Sequence, residues 1–246
     1  AQLLWREARW TPDAGNVRGE LKLDVELQPL AATPLLTRLY PQAGFGGDLA
    51  VKGRVTIQAS EKFSADVVLE RERGDLFVRD EGQTQSKVQA LGLSDLRVGF
   101  VANEGTWHFT QAIAGANLGV LVGATSMRLP ATARWPAPTS PMEGVLEWQV
   151  ADMGIWARFM PPGWRLGGKL RTSAAIGGQF GAPEVRGQME GQGLAIRNLL
   201  QGVDVRDGEL ALTLTGAQAK VERFVFKGGD GELRLTGGAT LGASPS

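Results

Sequence analysis

Hydrophobic and polar residues alternate along most of this 246-residue chain, which is the pattern of half-buried β-strands. In residues 17–28, every odd position carries Val, Gly or Leu, and every even position carries a polar side chain. The same alternation recurs at residues 49–58, 63–69, 146–150, 210–214 and 233–235. One face of each strand is therefore apolar and the other polar, which is typical of an antiparallel sheet with one solvated face.

Short turn signals separate these strands. Asn103-Glu104-Gly105 is typical of a β-hairpin turn. A Gly–charged–Leu triplet is predicted to open one strand after another, with the turn on glycine and the charge outward. The triplets begin at Gly19, Gly47, Gly74, Gly168, Gly208 and Gly231. We expect a dozen or more short strands in meander order.

Two segments break the period of two and predict short helices. In residues 33–41, apolar residues fall at i, i+1, i+4 and i+5, with Thr33 as the predicted N-cap and Pro34 in the first turn. Residues 152–161 repeat this spacing, with Asp152 as the predicted cap. A proline ends each helix.

The two helical segments belong to a cassette that occurs twice, at residues 19–49 and 144–170. Six positions match at a constant separation of 120 residues, from Leu35/Ile155 to Pro41/Pro161. The match predicts a duplicated, strand-rich and elongated architecture. We divide the chain into a first β-trough unit (1–129), a Pro-rich linker or crossover (130–141) and a second β-trough unit (142–246). A single continuous domain also fits.

Composition argues against several classes of function. Basic and acidic residues balance at 26 each, so the one-sided positive field of nucleic-acid-binding proteins is missing. The chain has no Cys and a single histidine, His108, so neither thiol catalysis nor a Cys- or His-based metal site is expected. No nucleophile elbow, Walker loop or dinucleotide fingerprint occurs. The sequence therefore predicts no enzyme, no metal and no cofactor.

The apolar strand faces must be covered by something. A self-packed sandwich, a closed barrel and a curved sheet with a ligand in its apolar concavity all satisfy this need. Aromatic residues make up only 7% of the chain, and the faces are mainly aliphatic. This composition favours a smooth, adaptable lining.

Four of the seven tryptophans (Trp135, Trp148, Trp156 and Trp164) are clustered along the sequence. We interpret them as a seal between the second helix and the sheet. An aromatic cluster at a ligand entry or partner surface is the alternative.

The last third of the chain resembles a known family. Residues 170–187 read as a strand, Gly, a short spacer, Ala-Pro, an apolar residue and Gly. Residues 193–196, 202–210 and 228–237 continue this pattern in order. The sequence resembles the TamB family, the inner-membrane-anchored component of the translocation and assembly module of Gram-negative bacteria, which is related to AsmA-like and bridge-like lipid-transfer proteins. The match covers about residues 146–241 and is weaker before them.

The resemblance implies an all-β fold, namely an elongated, curved, mostly antiparallel sheet that forms a β-trough (β-taco-like) with an apolar interior, plus two short helices. It implies a periplasmic location, with a tether to the inner membrane through an N-terminal helix outside this segment. It also implies two partners: phospholipid acyl chains, and an outer-membrane assembly partner of the Omp85 type reached through the full-length protein. The implied roles are lipid transport between the membranes and assembly of outer-membrane proteins and autotransporters. We expect the chain to be a segment of a longer polypeptide.

We predict that inward residues of the best strands line the apolar groove. They are Leu21, Leu23, Val25, Val55, Ile57, Leu212, Leu214, Phe224, Phe226, Leu233 and Leu235. The face on which Phe224 and Phe226 lie is left open by the alternation. The alternative function is a scaffold whose sheet edges bind nascent outer-membrane β-strands by β-augmentation. A transmembrane barrel is disfavoured by the presence of a single tyrosine.

Overall fold

A computed structural model of the chain describes residues 3–12, 19–41, 44–79, 88–161, 163–216 and 218–240. Most of these residues are in β-strands. The strands are β1 (Leu3–Thr11), β2 (Glu20–Ala31), β3 (Phe45–Gly47), β4 (Ala50–Ala59), β5 (Phe63–Arg73), β6 (Leu76–Arg79), β7 (Val88–Ala90), β8 (Leu93–Asn103), β9 (Thr106–Gly115), β10 (Gly119–Arg128), β11 (Met142–Val150), β12 (Arg165–Gln179), β13 (Ala182–Asn198), β14 (Val203–Gly216), β15 (Gln218–Gly228), β16 (Gly231–Arg234) and β17 (Gly237–Thr240). The helices are α1 (Thr33–Leu39) and two 3-10 helices, Met153–Phe159 and Leu199–Gln201.

Fourteen strands form one antiparallel sheet. Its order is β1-β2-β4-β5-β8-β9-β10-β11-β12-β13-β14-β15-β16, and β17 also pairs with β15. Neighbouring strands twist by about 20°, so twelve steps along this path add up to roughly 240° and the sheet must coil. The predicted all-β, curved, mostly antiparallel sheet in meander order is confirmed. Strands β3, β6 and β7 leave the meander and form a separate three-stranded sheet.

The large sheet is open at both edges. Within the described residues, β1 pairs only with β2, while β16 and β17 pair only with β15. The accessible surface is 15815 Å² for a 26.2 kDa chain. A compact monomer of this mass would expose about 10,600 Å². The excess surface and the unpaired edges argue against both a closed barrel and a fully packed sandwich.

Glycines of the Gly–charged–Leu triplets act in two ways. Gly47 and Gly74 have φ of 119° and 82°, and they make the expected turns before Leu49 and Leu76. Gly168 lies inside β12, at a register shift against β13, with φ of 98°. Gly208 lies inside β14 and is also flanked by register shifts. The prediction that every triplet opens a strand was therefore wrong, since a β-bulge uses the same residue type.

The two predicted helices form, but only one has the predicted cap. Asp152 accepts a hydrogen bond from the Gly154 N–H at 2.8 Å, as predicted. Thr33 lies inside α1 instead of capping it, because its hydroxyl donates to the Gly47 carbonyl at 2.8 Å. That bond ties α1 to β3.

Residues 129–141 form a crossover along one rim of the sheet. Strands β10 and β11 pair directly, so the sheet continues across this segment. The Phe63 N–H donates to the Ala131 carbonyl, and the Gly181 N–H donates to the Pro138 carbonyl. The crossover is thus fixed at both ends of its path. The division into units 1–129 and 142–246 stays a prediction.

Candidate apolar ligand face

The strand register places the apolar residues of successive strands side by side, because directly opposed residues share a face of the sheet. One row crosses ten strands, from β2 to β14: Leu27, Gly53, Leu69, Val98, Gln111, Gly123, Leu146, Ala174, Gly187 and Leu214. A second row contains Leu121, Trp148, Thr172, Met189, Leu212 and Val221. We call this side of the sheet the apolar face.

The opposite, polar face carries many of the charges. Lys52 lies 2.6 Å from Glu72 and 3.5 Å from Glu70. The hydrogen bond and the charge of Glu72, with a smaller contribution from Glu70, raise the pKa of the Lys52 ammonium. On β14 and β15, Arg223 contacts Glu209 at 2.6 Å. These exposed pairs keep the polar face solvated.

Strands β4, β5, β8, β9 and β10 of the large sheet form what we call the covered half, in which other parts of the chain pack on the apolar face. One cluster joins Ala32, Leu49, Val51, Leu76 and Leu93, with Leu36 of α1 packed against it. A second cluster contains Ala65, Ala102 and Trp107, with Leu129 of the crossover against it. The α1 helix, the small sheet and the crossover thus supply its cover.

Aromatic contacts tighten the second cluster. The ring centroids of Phe63 and Trp107 are 5.5 Å apart, and those of Phe100 and Trp107 are 5.2 Å apart in an edge-on arrangement. Such pairs add to the burial energy of the rings. Trp107 is therefore the centre of this cluster.

Asp75 fastens the three-stranded sheet to the large sheet. Its carboxylate accepts hydrogen bonds from the N–H groups of Leu76, Gly92 and Leu93 at 2.8–2.9 Å. The Asp75 N–H in turn donates to the carboxylate of Asp48 at 2.9 Å. A carboxylate that accepts three backbone donors holds both segments in register.

Strands β11–β15 form what we call the open half. On its apolar face, Leu146, Met189 and Leu212 are only half-buried, whereas Thr172 and Ala174 of β12 and Phe226 of β15 are buried. The 3-10 helix Met153–Phe159 covers one end, where Val150 and Ile155 are buried. Within the described residues, no cluster of buried apolar side chains spans the rest of this half.

The tryptophan interpretation is partly confirmed. Trp148 on β11 and Trp156 on the 3-10 helix meet edge-on, with ring centroids 5.2 Å apart. Trp164 is half-buried. Trp135 is exposed in the crossover, so its inclusion in the seal was wrong.

The predicted lining residues at the start of the chain share the apolar face. Val25 opposes Val55, and Leu23 opposes Ile57, between β2 and β4. Leu21 lies nearer the end of the strand and is more exposed than Leu23 and Val25. These residues fall beside or within the covered half, and Ile57 packs against the Trp107 cluster.

A β-bulge decides the face on which Phe224 and Phe226 lie. Val221 opposes Leu212, but Arg223 opposes the preceding residue of β14, so one additional residue enters β15. The bulge brings Val221, Phe224 and Phe226 to the same face. Phe226 is buried, and its ring lies 4.8 Å from that of Phe224.

The last two predicted lining residues lie at the open edge of the sheet. Leu233 opposes Phe226, and the Leu235 N–H donates to the Phe224 carbonyl. Both leucines are about half exposed. Leu214 on β14 opposes Ala219 on β15. The lining role of all these residues stays a prediction.

Sequence reasoning missed several residues of the apolar face. Trp107, Met127 and Met142 are directly opposed across β9, β10 and β11, and Met189 opposes Leu212. The alternation in residues 142–150 was a signal for Met142. Two polar side chains also lie on this face: within the described residues, Gln111 Oε1 and Thr172 Oγ1 are buried without a hydrogen-bond partner.

Two surface cavities lie away from the apolar face. One of about 570 Å³ lies between α1 and the small sheet, beside Phe45, Phe77 and Asp75. The other, of about 520 Å³, lies among Arg206, Asp207, Lys227 and Asp230. Neither of these two cavities is lined by the apolar-face residues of the open half.

Comparisons with protein-family models, with curated proteins and with solved structures found no match for this chain. Within the described ranges, no helix has the length and apolar character needed to cross a membrane. The same ranges hold no group of three or more His, Cys, Asp or Glu residues arranged to bind a metal ion. His108 lies exposed on the polar face, opposite Val101 and Ser126.

Proposed function

We propose that the chain binds lipid acyl chains along its apolar face and shields them from water, as a periplasmic segment of a TamB-like protein that moves phospholipids between membranes. The observation that carries this proposal is the open half, where Leu146, Met189 and Leu212 are half-buried and, within the described residues, no cluster of buried apolar side chains covers most of the face. Soluble monomers rarely leave such a surface uncovered unless it binds something. The TamB-like sequence pattern of residues 170–237 lies in the same strands.

An acyl chain fits the chemistry of this surface. Burial of methylene groups contributes roughly 0.8 kcal/mol each, so a sixteen-carbon chain gains on the order of 12 kcal/mol at full burial. The residues of the open half are mainly Leu, Val, Ile, Met and Ala, which provide contact without fixed hydrogen-bond geometry. An acyl chain bound in this way can slide, because every methylene group along the acyl chain makes the same kind of contact.

An acyl chain also fits the dimensions. Strands lie about 4.8 Å apart, so the four intervals from β11 to β15 span about 19 Å. One leaflet contributes half of a hydrocarbon core of about 30 Å, or about 15 Å per chain. The open half is therefore long enough to hold one acyl chain along the axis of the sheet.

Native mass spectrometry of the purified chain, with lipid extraction of the same sample, tests this proposal. We expect co-purifying phospholipid. The Leu212→Arg variant should lose it, because a guanidinium would enter the apolar face. The matched control is Thr213→Arg, which places the same charge on the opposite face of β14. Circular dichroism would verify that both variants fold.

A folded chain without bound lipid would contradict the proposal. So would equal lipid binding by the two variants, since the face of the sheet would then be irrelevant.

A second candidate function is a scaffold for nascent outer-membrane strands, and the edge strand β1 favours it. This nine-residue strand pairs only with β2 among the described residues, so its other side can accept a peptide strand. Trp5 and Trp10, which oppose Val25 and Leu21, would extend the apolar face toward that peptide.

Fluorescence polarisation with labelled peptides from outer-membrane β-strands tests this second candidate. A Glu7→Pro variant should weaken binding, because proline disturbs the edge without entering the apolar face. Unchanged peptide affinity in that variant would reject β1 as the binding edge.

A further inference from the structure

The turn between β13 and β14 exposes two adjacent leucines. Leu199 is 77% exposed and Leu200 is 91% exposed, more than any other large hydrophobic residue in the described part of the chain. Side chains this exposed must protrude from the surface. We call these two residues the leucine tip.

The tip is held rigidly. Asn198 is buried, and its side-chain oxygen accepts hydrogen bonds from the N–H groups of Leu200 and Gln201 at 3.1 and 3.2 Å. Gly202 follows with φ of 70°, a conformation suited to glycine, and its N–H donates to the Leu199 carbonyl. The exposure of the two leucines is therefore fixed by the turn.

An apolar track leads from the tip into the open half. Ile196 opposes both Val205 and Leu166, next to the turn. Leu194 follows and packs beside Gly191, which opposes Leu210 of the apolar face. A lipid chain that arrives at the tip would therefore meet apolar side chains all the way into the groove.

The chemistry of the tip suits a hydrocarbon phase. The N–H groups of Leu200, Gln201 and Gly202 all have acceptors within the turn, so entering an apolar medium leaves none of these donors unpaired. Two protruding leucines do not form a concave pocket into which a side chain of a protein partner could fit. Trp164 is half-buried on the neighbouring loop, and tryptophan is enriched at membrane interfaces. This loop lies next to the tip, since a Cβ on Gly163 would lie 3.7 Å from the side-chain amide of Asn198.

Charged residues lie at the base of the tip. Arg197 and Asp204 oppose each other in β13 and β14 and form an ion pair at 3.1 Å. Arg165 opposes Arg197 from β12 and is exposed. With the leucines in hydrocarbon, these groups would lie at the level of lipid headgroups.

We propose that the leucine tip inserts into the surface of a phospholipid bilayer and is the mouth through which acyl chains enter the open half. This inference rests on the proposed function. It adds the partner, a bilayer surface, and the point of entry. The exposed leucines Leu35 and Leu39 of α1 provide a matched comparison, because they lie beside the covered half.

The absence of native cysteine allows a direct test. A Leu200→Cys variant carries an environment-sensitive nitrobenzoxadiazole dye, and vesicles of phosphatidylcholine and phosphatidylglycerol are added. We expect a blue shift, together with quenching by lipids whose acyl chains carry nitroxides. The dye at Leu39→Cys should show neither change. The same spectra for both sites would overturn the inference.

A second measurement separates the tip from the groove. We expect the Leu199→Ser/Leu200→Ser variant to load lipid from vesicles at least ~10-fold less than the native chain, since two leucines lose their burial. Loading from free palmitate, which bypasses the bilayer, should be unchanged, as should both activities in Leu35→Ser/Leu39→Ser. Native loading from vesicles by the tip variant would overturn the inference. A native chain that binds vesicles through the tip but never takes up palmitate would overturn the groove and leave the tip contact standing.

Discussion

Phe226 shows how single residues fix the two faces of this sheet. It is 2% exposed, and a Cβ added to Gly208 would lie only 2.3 Å from its ring. The aromatic ring thus covers the bare backbone of the neighbouring strand. Glycine at position 208 is required by this contact, not by a turn.

We expect Phe226→Ala to lower the free energy of unfolding by about 3–5 kcal/mol, the range for large aromatic-to-alanine changes in a core. Urea titration followed by circular dichroism measures it. Phe180→Ala is the matched control, because Phe180 is exposed at the turn between β12 and β13. Equal losses in the two variants would mean that Phe226 does not form part of a core.

At this scale, alternation correctly predicted which side chains share a face in regular strands. Leu212 and Leu214 are examples, and so are Leu23 and Val25 on β2. It left the face of Phe224 open, because a bulge adds one residue and reverses the phase. A bulge depends on pairing with a strand elsewhere in the chain, so the local pattern does not reveal it.

The elements that leave the meander determine where the apolar face is covered. Strands β3, β6 and β7 and helix α1 lie between strands of the large sheet in sequence but pack at one end of its apolar side. Asp75 connects them to the loop before β8 through three backbone donors. This carboxylate is therefore one of the contacts that hold the cover in place.

We expect Asp75→Ala to lower the free energy of unfolding by about 2–4 kcal/mol, since three buried or half-buried N–H groups lose a charged acceptor. Hydrogen exchange would show early opening of residues 88–93. Asp66→Ala, at an exposed position on the polar face of β5, is the control and should leave exchange there unchanged. Native protection in Asp75→Ala would contradict the role of this carboxylate.

The two helices show which features the local sequence predicts and which it does not. The duplicated spacing predicted both segments, and the Asp152 cap is confirmed. The Thr33 cap was wrong, because its hydroxyl finds the Gly47 carbonyl, fourteen residues away in sequence. A tertiary hydrogen bond of this kind competes with local capping. It cannot be predicted from the sequence of the helix alone, because its acceptor lies in another element.

The whole molecule combines a covered half with an open half in one continuous sheet. The sequence predicted an all-β sheet with one apolar face along its entire length. It did not predict that α1, the small sheet and residues 129–141 would cover the covered half, because that cover arises from contacts between distant segments. The predicted lining residues on β2 and β4 therefore differ in setting from those on β14.

In our proposal, acyl chains bind the apolar face of the open half. Photocrosslinking of the native chain with a phospholipid that carries a diazirine near its acyl terminus, followed by peptide mass spectrometry, tests it most directly. We expect adducts on Leu146, Met189 and Leu212, and none on Val145, which immediately precedes Leu146 but is 59% exposed on the polar face. Adducts confined to the polar face, or spread equally over both faces, would contradict the account.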